Sequence, residues 1–307
     1  MDYAHSRLQA LIARASAQAG NSPDALALVY PCDALALDAA RRIQDGGMAR
    51  PVLIGPASLI AAAADAAQVD VRDFELIDSG SAADTALRAC ALARSGDVRA
   101  LMKGSLHTDE LMAAVVNKEA GLRGSSRISH AFVFDLPRYH KLLALADCVV
   151  NIAPDLKTKK DILGNAVALL QKLGIAQPKV GIVAAVEVVN PSIPATLDAQ
   201  ALVDMARAGA WPGAIVEGPF GFDNAFSAEA ARIKKMESQV AGDADLLVMP
   251  DLNAGNMLYK SFNYVGGGDC AGLVLGAQVP IVLTSRADSL QSRMASVALA
   301  VLAAAPG

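Results

Sequence analysis

A chain of 307 residues, 53% hydrophobic but only 4% aromatic, is long enough for one large domain or two modest ones. Its charges are interspersed around a net of -4, which excludes the basic stripe that general nucleic-acid binding needs. No apolar run reaches the roughly 18 residues of a membrane span, and residues 1–7 carry an early acidic residue and no apolar h-region, so a cytoplasmic protein is expected.

The pattern alternates from the start. Residues 3–19 read as an amphipathic helix and 27–30 as a first strand. Asp33 is placed to cap a helix through Ile43 that stops at Gly46-Gly47, and residues 51–55 form the next strand. A helix from Ser58, a strand at 74–77, a helix over 81–95 and a strand at 100–104 continue the rhythm. Further strands are expected at 128–134, 148–152, 180–184, 214–218, 245–249 and 279–284, with helices over 158–173 and 197–208. Repeated β-α-β units predict an α/β fold with mostly parallel sheets. No Gly-, Ser- or Pro-rich linker divides the chain, so two α/β lobes sharing a cleft, with more than one chain crossing, fit better than separate beads. The cysteines Cys32, Cys90, Cys148 and Cys270 lie far apart without a C-x-x-C pair, and are expected as buried thiols rather than disulfides or metal ligands.

Ligands of open α/β sheets bind beyond strand ends, which singles out four clusters. Lys103-Gly104-Ser105-Leu106-His107-Thr108-Asp109 fits an anion cradle, or equally an ordinary turn capped by Thr108 or Asp109. Arg123 with Ser125-Ser126-Arg127-Ile128-Ser129-His130 fits a phosphate or carboxylate clamp, or a solvated basic turn. Glu217-Gly218-Pro219-Phe220-Gly221-Phe222-Asp223-Asn224 and Pro250-Asp251-Leu252-Asn253-Ala254-Gly255-Asn256 read as loops whose glycines let a ligand approach the backbone, although the asparagines also suit turns and a helix cap. Thr284-Ser285-Arg286-Ala287-Asp288-Ser289 leaves the last strand with a hydroxyl, a guanidinium and a carboxylate, or else with an N-cap at Asp288 or Ser289 and a surface arginine. No P-loop, H-E-x-x-H or G-x-S-x-G motif is present, and Gly266-Gly267-Gly268 is not a dinucleotide fingerprint.

Together these segments resemble the phosphate acetyl/butyryltransferase family. The resemblance rests on Pro250 to Asn256 with Tyr259-Lys260, on Glu217-Gly218-Pro219 with Phe222-Asp223-Asn224, and on Pro280 to Arg286. Lys103-Gly104, His107-Thr108-Asp109 and Arg127-Ile128-Ser129-His130 extend it. The run Ser285-Arg286-Ala287-Asp288-Ser289 is most similar to the butyryl-type branch and to acyltransferase modules fused to enoyl-CoA hydratases.

The resemblance implies two α/β/α lobes around a cleft, like the isocitrate and isopropylmalate dehydrogenases. These are set at residues 1–138 plus 277–307 and at 139–276, usually in a homodimer. It implies acyl transfer between CoA and inorganic phosphate in a ternary complex, with CoA or acyl-CoA as substrate and without metal, tightly bound cofactor or covalent intermediate. Ser285 and Arg286 would hold the phosphate or acyl phosphate, with Arg127 and Ser129 near them. Lys103, His107, Thr108, Asp223, Asn253, Gly255 and Asn256 would bind substrate. The aspartate base proposed for acetyl-type members falls on Ser292 here, leaving Asp288 as the nearest carboxylate. Two other readings stand beside this one: an NAD-dependent dehydrogenase on the same fold, and a non-catalytic CoA-binding regulator.

Overall fold

A computed structural model describes residues 3–284 and 288–305. It is a mixed α/β fold of eleven mostly parallel strands, and the chain divides into two compact units.

The first unit holds Leu8–Ile128 and residues 271–305. Helix α1 (Ser6–Ala19) leads into β1 (Ala25–Val29), α2 (Ala34–Asp45), β2 (Arg50–Gly55), α3 (Ala57–Ala67), β3 (Glu75–Asp78), α4 (Ala82–Ser95), β4 (Ala100–Lys103) and α5 (Thr108–Val115). All five residues of β1 are buried, as expected of a parallel strand covered on both faces. The caps follow local chemistry. Asp33 accepts from the Ala36 N–H at the start of α2, and Ser81 with Asp84 forms a capping box on α4. Leu37, Ala40 and Ile43 of α2 are buried, the inward stripe of an amphipathic helix.

The second unit holds residues 3–7 and Ser129–Cys270. It runs β5 (Ser129–Asp135), β6 (Leu143–Ala146), α6 (Leu156–Lys172), β7 (Lys179–Val183), α7 (Pro194–Arg207), β8 (Ile215–Phe220), α8 (Phe222–Phe226), α9 (Ala228–Ile233), β9 (Leu246–Val248) and α10 (Leu252–Tyr264). Its strands lie in the order β5-β6-β9-β7-β8, parallel except for β5 against β6. The scarce aromatic residues gather here: Phe134 packs edge-on to Phe262 at 5.1 Å, and Phe132 stacks on Tyr259 at 4.2 Å.

Strand β10 (Asp269–Leu275) returns the chain to the first unit, where β11 (Ile281–Val282) and α11 (Leu290–Ala304) complete it. The first unit's order is β3-β2-β1-β4-β11-β10, with β11 parallel to β4 and antiparallel to β10. Helix α11 is apolar on nearly all sides and almost wholly buried.

Several expectations are corrected. Residues 148–152 form a turn rather than a strand, because the buried Asp147 carboxylate accepts from the N–H groups of Val149 at 2.8 Å and Val150 at 3.0 Å. The strand of that region is β6, just upstream. The first helix begins at Ser6 rather than at residue 3, since Tyr3 and the Arg7 N–H bond the Asp135 carboxylate. The last strand shortens to Ile281–Val282. Cys90, Cys148 and Cys270 are buried thiols outside any disulfide, and Cys32 is partly buried.

Candidate active site

Three neighbouring parallel strands of the first unit, β1, β4 and β11, send their carboxyl ends toward one cavity of about 190 Å³. Its wall includes Asp33, which follows β1, and Lys103 to Thr108, which follow or end β4. Thr284, following β11, and Arg293 of α11 complete the polar lining.

Local geometry explains how this sequence makes that wall. A Cβ on Gly104 would lie 2.5 Å from the Tyr30 carbonyl oxygen, so only glycine lets the chain pass so close to the end of β1. Ser105 locks the crossing, donating from Oγ to the Tyr30 carbonyl at 2.8 Å and accepting from the Cys32 N–H at 3.0 Å. The Lys103 ammonium donates to the Gly104 and Leu106 carbonyls at 3.1 and 3.2 Å, which fixes the cation at the rim of its own turn. His107 is the N-cap of α5, and its N–H donates to the Glu110 carboxylate at 2.9 Å. The capping alternative for this cluster therefore falls to His107 rather than to Thr108 or Asp109. His107 and Thr108 are exposed at the cavity mouth, where the partial positive charge of the α5 N-terminus adds to that of Lys103.

Ser285 and Arg286 lie outside the described residues. Asp288 is half-buried, and Ser289 rather than Asp288 caps α11, accepting from the Ser292 N–H at 2.9 Å. Ser292 itself is buried, and its carbonyl accepts from the Ser296 hydroxyl at 2.8 Å. Arg127 belongs to the first unit and is exposed, but does not line the cavity.

The other expected residues fall in the second unit. Glu217 to Phe220 belong to β8, and Asn253, Gly255 and Asn256 sit within α10, so neither segment is the loop that its glycines predict. Asp251 caps α10 through the Ala254 N–H at 3.0 Å. Gly255 allows α10 to press on the preceding turn, since a Cβ there would lie 2.6 Å from the Asp147 carbonyl. Asn256 donates to the Cys148 carbonyl at 3.2 Å. Asp223 pairs with Lys234 at 3.2 Å, as does Glu187 at 2.8 Å, which makes Asp223 part of a surface ion cluster. Ser129 is buried and accepts from Asn165 Nδ2 at 2.9 Å.

His130, next to Ser129, is buried against Phe132 at a ring separation of 4.4 Å, and its Nδ1 has no hydrogen-bond partner among the described residues. Burial pushes its pKa down to about 4, against the pull of Asp147. Between pH 6.5 and about 4 the unfolded chain therefore binds a proton that the folded chain refuses. Stability is complete above pH 6.5 and is lost as pH falls, by as much as ~3 kcal/mol near pH 4. His130→Phe is expected to flatten that slope in denaturation midpoints measured across this range, and an unchanged slope would refute the assignment.

Sequence reading missed Arg293. The signal that points to it is a cation four residues into a helix with no other charged residue.

A polar cavity at the carboxyl ends of parallel strands has the placement of a ligand site in an open α/β sheet. Residues 80–301 match the family described as phosphate acetyl/butaryl transferase. The chain is 46% identical to the phosphate acetyltransferase of Rhizobium meliloti, over 98% of this chain and 94% of that one. It is 39% identical to the phosphate butyryltransferase of Clostridium acetobutylicum, over 91% and 93%. A branched-chain phosphotransacylase from Enterococcus faecalis superposes with a TM-score of 0.80 at 29% identity, covering 92% of this chain and 99% of that one. The chain belongs to the phosphate acetyl/butyryltransferase family.

Proposed function

We propose that this enzyme transfers a short acyl group, acetyl to butyryl, between CoA and inorganic phosphate. A phosphate oxygen attacks the thioester carbonyl, the C–O bond forms and the C–S bond breaks. The departing CoA thiolate takes a proton. In reverse, the thiol loses that proton and its sulfur attacks the acyl phosphate, releasing phosphate. The observation that carries this reading is the first-unit cavity, lined by Lys103, Thr108 and Thr284 beside the α5 N-terminus and large enough for a phosphate.

The chemistry asks for cations on the phosphate oxygens, donors for the oxyanion that develops on the carbonyl, and a base for the thiol. In this proposal Ser285 and Arg286 hold the transferred phosphate, and Asp288 exchanges the thiol proton. Lys103, His107 and Thr108 fix the phosphate from the β4 side, an assignment supported by their shared cavity. Arg127, Ser129, Asp223, Asn253, Gly255 and Asn256 serve substrate binding on the strength of the family motifs they match. CoA is a substrate rather than a resident cofactor. The isocitrate-dehydrogenase-like lobes at 1–138 plus 277–307 and at 139–276, the homodimer and the cytoplasmic location are part of the same proposal, resting on the family resemblance.

The NAD-dependent dehydrogenase and the non-catalytic regulator gain no support from relatives named as phosphate acyltransferases at 39 to 46% identity. Incubation with acetyl, propionyl or butyryl phosphate and CoA is expected to yield the matching thioester for at least one member of the series. Absence of thioester from all three would overturn the proposal.

A further inference from the structure

We infer that Arg293 is an anion-binding residue of this enzyme, gripping the phosphate group inside the β1–β4–β11 cavity. The inference rests on the phosphate-transfer reading above and adds a residue to it that no motif carries.

Arg293 is the fourth residue of α11, whose N-cap is Ser289, so its charge sits in the first helical turn, where the macrodipole disfavours a cation. It is only 8% exposed, and its neighbours along the helix, Met294, Ala295, Val297 and Ala298, are buried apolar side chains. A guanidinium taken out of water at that end of a helix needs acceptors or a bound anion to offset its desolvation, and the cavity is where an anion can reach it.

What this placement provides is a second cation on the cavity wall. Arg293 lines the same space of about 190 Å³ as Lys103, Ser105, His107 and Thr108. Lys103 is held at the rim by two backbone carbonyls, so it presents a compact point charge. A guanidinium adds planar, forked donors suited to two oxygens of one phosphate. One carboxylate, Asp33, also lines the cavity and works against an anion, but one of its oxygens is engaged by the Ala36 N–H at the start of α2. The ligand class is a small phosphate dianion, either inorganic phosphate or the phosphate end of an acyl phosphate. The phosphates of CoA share that chemistry, and the experiment separates them.

The test compares wild type with Arg293→Gln, Arg293→Met and Arg293→Lys in phosphate-dependent release of CoA from acyl-CoA. Arg293→Gln and Arg293→Met are expected to raise KM for inorganic phosphate roughly ten- to a hundredfold, with KM for acyl-CoA changed less than about twofold. Arg293→Lys is expected to recover part of that loss. A readout free of turnover accompanies it: inorganic phosphate alone should raise the melting temperature of wild type and not that of Arg293→Met. An unchanged phosphate KM in active variants overturns the inference while leaving the transferase reading intact. A rise in acyl-CoA KM alone also overturns it and moves the residue to the CoA phosphates. Equal losses in kcat and both KM values, without recovery in Arg293→Lys, would mark a merely structural residue. Wild type that releases no CoA would sink the transferase reading, and the phosphate-induced melting shift then judges Arg293 by itself.

Discussion

Asp135→Ala is expected to lower the stability of the second unit by ~3–5 kcal/mol. Asp135 ends β5 and is fully buried, and it gathers the N-terminal segment onto that strand. Its carboxylate accepts from the Tyr3 hydroxyl at 2.8 Å, the Arg7 N–H at 2.8 Å and the Arg7 guanidinium at 2.8 Å. The Arg7 guanidinium also donates to the Tyr3 hydroxyl at 2.9 Å, so one carboxylate organises three donors and a partly buried cation. Truncating it removes the counter-charge of Arg7, whose guanidinium keeps the Tyr3 hydroxyl and the Leu136 carbonyl, and removes the acceptor of the Tyr3 hydroxyl; that loss exceeds the worth of an exposed surface pair. Arg7→Ala takes the counter-charge from the buried carboxylate, which keeps the Tyr3 hydroxyl and the N–H of residue 7, and is expected to cost a similar amount. Urea denaturation midpoints of the two single variants and the double variant measure this. A double variant much less damaged than the sum of the singles is the predicted result, because each single change leaves one charge without the counter-charge that the other supplied. Single losses below about 1 kcal/mol would show that the cluster does not anchor the segment.

Arg286→Ala is expected to reduce kcat/KM for acyl transfer by a factor of 10²–10³, the size of the loss when one fixed donor to a transition-state anion is removed. In the proposed mechanism this guanidinium meets the phosphate whose oxygen bonds the acyl carbon, so its contribution grows as charge shifts along the reaction. Asp288→Asn separates a second role. If Asp288 carries the thiol proton, the variant should lose about 10²-fold in the thioester-forming direction and lose the carboxylate limb of the pH–rate profile. An Asp288→Asn variant with unchanged rates and profile would move the base to another group. Retained full activity in Arg286→Ala would remove that residue from the transferred phosphate.

Much of this arrangement was legible in the residues. The β-α-β rhythm of the first unit shows because its strands are short apolar runs and its helices carry caps such as Asp33 and Ser81. The cavity turn is legible too, since Lys103-Gly104 ends a strand and only glycine passes the Tyr30 carbonyl. Misreadings arise where a polar side chain just ahead of a segment decides its backbone. Val149, Val150 and Ile152 have strand-forming side chains, yet the Asp147 carboxylate captures their N–H donors or those of their neighbours and makes a turn. Asn253, Gly255 and Asn256 are poor helix formers, yet Asp251 caps them into α10, and Gly255 is selected by the closeness of the Asp147 carbonyl. Helix α11 hides because it is apolar on nearly every side and has no amphipathic period to detect. Arg293 hides with it, because a single cation in an apolar helix gains meaning only when α11 packs it against the β4 turn.

The most direct test of the central claim is thiol release from acetyl-, propionyl- and butyryl-CoA, measured with and without inorganic phosphate. The account predicts release from at least one of these thioesters that depends on phosphate and forms an equal amount of acyl phosphate. Release that ignores phosphate, or none from any of the three, would contradict it.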